Sequence, residues 1–156
     1  MSEIFLRKLA NGTLAGATEE DQEALKRFKI GVAVRCEVKQ VRNYEFLKKW
    51  FALVNFAFDQ WSEFPMPEYK GETVQPNRDK FRRDVTILAG YSHPVVNVRG
   101  EVRVEADSIS FANMSEETFE KLYSKTIDVI LQKILYRKGY TEEQLRELVD
   151  RTLAFS

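Results

Sequence analysis

The chain holds one histidine and one cysteine among 156 residues, and those two numbers bound its chemistry before any fold is considered. His93 precedes Pro94, which favours an extended or turn setting. To act as a general base it would need a nucleophile and an orienting partner, and no spacing in the sequence supplies them, so a structural or surface role is expected. Cys36 alternates with Val32, Val34 and Val38 and is expected to be a buried thiol on a strand face. A lone cysteine excludes an internal disulfide and a thiolate zinc cluster, and it suits a reducing compartment, so a cytoplasmic protein is expected. The carboxylates Glu116, Glu117, Glu120, Glu142 and Glu143 sit at helix starts, where the helix dipole already accounts for them. No phosphate-binding glycine loop, dinucleotide fingerprint, HExxH or GxSxG occurs. The expectation is a protein that is not an enzyme and has no cofactor or metal.

The basic residues carry more information. Lys26, Arg27, Lys29, Arg35, Lys39, Arg42, Lys48 and Lys49 share their stretch with two acids, Glu37 and Glu45, a local charge of +6. Arg42 and Asn43 fall at a strand-to-helix junction, where free backbone N–H groups attract phosphate, and Lys48 and Lys49 follow on the first turns of the helix. Arg78 and Arg82 are four apart and share a helix face, which Arg83 joins if the face is broad. With Tyr44, Phe46 or Tyr69 available to stack on unpaired bases, these groups have the chemistry of a single-strand surface if they converge. Otherwise they solvate helix faces over an aromatic core.

The elements that would position them are readable from periodicity. A short strand over 3–9 ends at the turn Asn11-Gly12, and Thr18 caps a helix over 19–28. Period-two alternation predicts a strand over 32–38. Residues Tyr44–Trp61 form the strongest helix, with an apolar stripe (Leu47, Trp50, Phe51, Val54, Phe58, Trp61) broad enough to require several covering elements. A flexible loop carrying Pro65, Pro67, Gly71 and Pro76 spans about 62–76. Asn77 caps a helix to about Ala89, two strands follow over 95–98 and 101–105, and Ser115 opens a long helix to about Lys138. Thr141 and Gln144 have capping-box spacing for the last helix. This order indicates a single α+β domain over 1–156, with a small, mainly antiparallel sheet packed with four to five helices. The 24 basic and 24 acidic residues cancel, which excludes a generic polycation. No apolar run reaches the roughly 20 residues of a membrane span, and the N-terminus lacks a secretory pattern.

Two stretches resemble a known family. Arg42–Trp61 resembles the signature helix of the YbcN/YdfU-like proteins of lambdoid prophages, and Asp107–Phe119, with the helix after it and Leu153-Ala154-Phe155, resembles their second signature. That family implies no established activity. The order strand–helix–strand, Arg-Asn, lysine-bearing helix, then hairpin and long helix is more distantly similar to the NinB/Orf family of lambda recombination mediators. What that resemblance implies is a homodimer that binds single-stranded DNA and host single-strand-binding protein and assists the phage annealing protein. The spacing from Arg42-Asn43 to the helix lysine is shorter here, and Leu47-Lys48-Lys49 stands where the closer family often has His-Arg-Lys.

The leading expectation is a phage accessory protein for DNA recombination or replication, a non-enzymatic single-stranded-DNA binder. Arg42, Asn43, Lys48, Lys49, Arg78, Arg82 and Arg83 would contact phosphate. The alternative is a modulator that captures a host repair, replication or defence protein through an acidic side, Asp107, Glu116, Glu117 and Glu120. No membrane partner is expected.

Overall fold

The computed structural model describes residues 3–38 and 43–154, the side chain of Ala112 apart. The chain is α+β, and its described residues form five α-helices and three antiparallel two-stranded ribbons. The strands do not assemble into one small sheet; each pair stands as its own ribbon. Two compact units divide the chain, Met1–Lys39 and Gln40–Phe155.

In the first unit, β1 (Leu6–Lys8) pairs with β2 (Leu14–Gly16) through a turn at Asn11-Gly12. The Asn11 side chain accepts hydrogen bonds from the Thr13 N–H and hydroxyl, and Gly12 takes φ +85°, a conformation that favours glycine. Helix α1 (Glu19–Leu25) begins at a capping box in which Thr18 and Asp21 bond reciprocally. Asp21 is buried and also accepts from the Phe5 N–H at 3.0 Å, which ties the ribbon to the helix. Gly16 completes the junction. A Cβ there would lie 2.5 Å from the Gln22 nitrogen, so α1 can approach only a glycine.

The expected strand over 32–38 is not formed. Residues 31–38 run without regular structure, and each is exposed. Alternation makes a strand only where another strand offers its main chain, and among the described residues none pairs with this stretch. Cys36 is correspondingly exposed, not buried as the alternation implies.

The second unit is built on α2 (Tyr44–Trp61), whose residues Leu47, Trp50, Leu53, Val54, Ala57 and Phe58 are buried. The short ribbon β3 (Glu68–Tyr69) and β4 (Glu72–Thr73) interrupts the proline-rich stretch after it. Helix α3 (Arg78–Leu88) starts where the Asn77 side chain accepts the Lys80 N–H, and packs Phe81 against Phe58 and Trp61. Strands β5 (Ser92–Val96) and β6 (Val102–Ala106) form the third ribbon. A 3-10 turn at Phe111–Asn113 leads to α4 (Glu116–Val129), capped by Ser115. The long helix expected to Lys138 passes instead into a π turn, Ile130–Ile134, marked by the Leu135 N–H donating to the Ile130 carbonyl at 2.7 Å. Helix α5 (Glu142–Ala154) follows the Thr141–Gln144 capping box and packs on α2.

One polar contact crosses this core. The Trp50 indole N–H donates to the Thr126 hydroxyl at 3.0 Å, and that hydroxyl donates to the Leu122 carbonyl at 2.8 Å. Both side chains are buried, so α2 and α4 meet at a site where an unpaired N–H has no water to turn to. Thr126→Val keeps the shape and removes the acceptor. It is expected to lower unfolding free energy by about 1–3 kcal/mol in urea titration, with Thr126→Ser costing less; equal stability of Thr126→Val and the parent would refute the role.

Candidate nucleic-acid interface

Asn43 and the basic residues of α2 and α3 lie within one unit and can be placed against each other. Arg42 and Lys39 lie outside the described residues. Lys26, Arg27, Lys29 and Arg35 belong to the other unit, so from the +6 stretch the interface retains Lys48 and Lys49 as its cations.

Opposite the buried stripe, by helical phase, α2 carries Tyr44, Glu45, Lys48, Ala52, Asn55 and Asp59, of which Glu45 and Asp59 are exposed and the others half-buried. Lys48 sits on that face and Lys49 a step of 100° to one side. Neither has an acidic partner among the described residues; Glu45, three and four positions away, does not bridge to them. Each ammonium instead lies over an aromatic ring, Lys48 Nζ 5.7 Å from the centre of Tyr44 and Lys49 Nζ 4.8 Å from that of Tyr123. Such contacts hold a cation by the negative ring face without neutralising it.

On the other flank, α3 lays two guanidinium groups on α2. Arg78 stacks over Phe58 and Arg82 over Phe51, each with Cζ 4.4 Å from the ring centre. Both guanidinium groups lie over rings of α2, so the face that Arg78 and Arg82 share is turned to α2. Their availability differs. Arg78 Nη2 donates to Asp59 Oδ1 at 2.9 Å, whereas the nearest acid to Arg82, Asp79, is 3.8 Å away. Arg83 does not join this pair; it is exposed and has no ion-pair partner among the described residues. Lys80 of the same helix is tied to Asp84.

Asn43 has a structural task. Its side-chain N–H donates to the Met114 carbonyl at 2.7 Å, joining the start of α2 to the turn before α4. Of the aromatics considered for base stacking, Phe46 already lies flat on Phe119, at 4.5 Å and 4°. Tyr44 carries Lys48, while Tyr69 is 67% exposed on the β3–β4 ribbon, beside Lys70.

The acidic side is largely paired. Glu117 faces Lys121 at 3.5 Å, and Asp107 Oδ1 lies 2.7 Å from His93 Nδ1. Glu120 bridges to Arg146 at 2.9 Å. Arg146 is a junction absent from the sequence expectations: it also donates to Glu142 and Ser124 and lies 5.2 Å from the centre of the Tyr123 ring, the ring that Lys49 also contacts. The Glu142–Arg146 spacing was the one available signal. Burial works against the Arg146 charge, but the hydrogen bonds it donates to Glu142 and Glu120 outweigh that and hold the group above its ordinary range. Burial, reinforced by Asp150, pushes the Tyr123 phenol up, with Arg146 opposing. Tyr123 therefore serves this surface as a neutral ring. Among the described residues no cluster of His, Cys, Asp and Glu side chains has metal-ligating geometry, and no helix is long and apolar enough to cross a membrane.

A family model described as "Protein of unknown function (DUF1367)" matches the chain over residues 1–77 and 67–155. No curated protein and no solved structure matches it.

The stacking geometry separates two neighbours that composition treats alike. Arg82→Lys keeps the charge but loses the planar contact with Phe51 and is expected to cost about 1 kcal/mol of stability. Arg83→Lys, on open solvent, is expected to change stability immeasurably. Chemical denaturation of the two variants decides it, and similar midpoints would remove the case for Arg82 as a braced group.

Proposed function

We propose that this chain, which belongs to the DUF1367 family of proteins of unknown function, is a non-enzymatic single-stranded-DNA-binding protein that assists DNA recombination or replication. The observation that carries this reading is a set of cations on α2 and α3 that acids leave largely unpaired. Lys48 and Lys49 have no acidic partner among the described residues and rest on aromatic rings, and on the other flank of α2 Arg82 is braced on Phe51. Arg83, exposed on α3, adds a charge with no ion-pair partner among the described residues. Cations that are oriented but not neutralised suit the phosphate backbone, which positions a strand without reading its bases. Asn43 is better assigned to holding the start of α2, and Arg78 to bridging Asp59, than to direct contact. The resemblance of Arg42–Trp61 and Asp107–Phe119 to lambdoid prophage proteins supports a phage setting. The more distant likeness to recombination mediators supports host single-strand-binding protein or a phage annealing protein as partners.

The reading is tested by fluorescence anisotropy with a labelled single-stranded oligonucleotide across a salt series. Binding should weaken with salt through counterion release. Lys48→Ala/Lys49→Ala/Arg83→Ala should weaken it at least tenfold at low salt and flatten the logarithmic salt slope by about 2, at roughly 0.7 per lost contact. No binding by the parent protein at low salt, or a variant that binds as the parent does, would overturn the proposal.

A further inference from the structure

The β5–β6 ribbon has an apolar side that nothing in the described chain covers, with Val96, Val102 and Val104 at 70%, 67% and 54% exposed. Its register sets Pro94 opposite Val104 and Val96 opposite Val102 on that side. His93 opposite Glu105 and Val95 opposite Arg103 lie on the other. Hydrogen bonds at both ends fix which residues turn their main chain inward. The Asp107 N–H donates to the Tyr91 carbonyl and the Asn97 N–H to the Glu101 carbonyl, each at 3.0 Å. Antiparallel bonding alternates every second residue, so His93, Val95, Arg103 and Glu105 bond across the ribbon. Pro94, which has no N–H to give, falls at a position that needs none. Val102, Val104 and Ala106 turn their N–H and carbonyl groups to the outer edge of β6. Helix α3 approaches the ribbon through β6, yet Val102, Arg103 and Val104 remain exposed.

The two edges differ in kind. Pro94 stands on the outer edge of β5, a residue that refuses a further strand. β6 has no proline and no inward charge to guard it. We propose that the outer edge of β6 docks β6 of a second copy of this chain, paired antiparallel about Val104. A two-fold axis there sets Val104 against its own copy, Val102 against Ala106, and Arg103 against Glu105. The opposite charges meet twice, once on each side of the axis. They meet at the positions without hydrogen bonds, where facing side chains come closest. Moving the axis to Arg103 or to Glu105 would set like charges against each other, whereas the axis at Val104 matches the charges and keeps the whole of β6, Val102–Ala106, paired. The valines of the two copies would then flank one another in a single four-stranded sheet, as an isologous contact requires.

The test is the mass in solution by sedimentation velocity over a concentration series, with circular dichroism as a check on folding. The 156-residue chain is expected to reach twice the 18.2 kDa of one copy. Val104→Pro removes an N–H that the ribbon itself does not use, as Pro94 does on β5, and is expected to halve that mass. Arg103→Glu alone and Glu105→Arg alone are each expected to be monomeric. Mixed in equal amounts they should form the dimer again, as should the double variant Arg103→Glu/Glu105→Arg. A parent protein that stays monomeric throughout, a Val104→Pro variant that stays dimeric, or charge variants that do not complement each other would overturn the proposal. Complementation by the charge variants decides the matter even if Val104→Pro fails to fold.

Discussion

Helix α2 carries apolar side chains over more than half of its circumference, and a helix of that kind persists in water only if several other elements are laid on it at once. Each of the neighbours in its unit answers to that demand. Helix α3 covers the side of Phe58 and Trp61, α4 the side of Phe46 and Trp50, and α5 runs along the remaining apolar flank. Apolar burial is non-directional and would tolerate sliding among these helices. The indole–hydroxyl contact between Trp50 and Thr126 is directional, and it sets where along α2 the fourth helix sits.

The same packing explains the disposition of charge. Aromatic rings at the margin of a packed core offer a face to cations that cover it. Phe51, Phe58 and Tyr123 thereby become platforms, and the basic residues of α2, α3 and α5 are held by the edge of the core that they cover. Lys48 and Lys49 rest on rings with no ion pair among the described residues, while Arg78 and Arg146, on the same kind of platform, are also bridged to Asp59 and to Glu120 and Glu142. Glu117 and Asp107 close onto Lys121 and His93. Which cations stay unpaired depends on where the rings and the acids ended up, and composition is blind to it.

Much of the helical architecture was legible beforehand because its signals are local. The stripe over Tyr44–Trp61, the caps at Thr18, Asn77 and Ser115, and the box at Thr141 each depend on residues a few positions apart, and each is present. The stretch Val32–Val38 failed for the opposite reason. Its alternation is genuine, but a strand is a relation between two segments, and the second segment is not there among the described residues. The candidate site divides along the same line. Lys48 and Lys49 follow from their place on α2, whereas the rings beneath Arg78 and Arg82 depend on how two helices cross. Asn43 illustrates the limit: its position at a helix start suggested phosphate, and its partner proved to be a carbonyl 71 positions away.

The π turn at Ile130–Ile134 holds one residue more than an α-helical turn needs. It stands after Val129, so the helix widens at its exit and not in its middle. Ile130, which opens the turn, and Leu135, which follows it in a non-helical conformation, are both buried. The chain therefore leaves α4 with apolar side chains still turned to the core. The end of α4 is thus a joint: the path toward α5 changes direction there, downstream of Phe119, Tyr123 and Thr126, whose hold on the core does not depend on it.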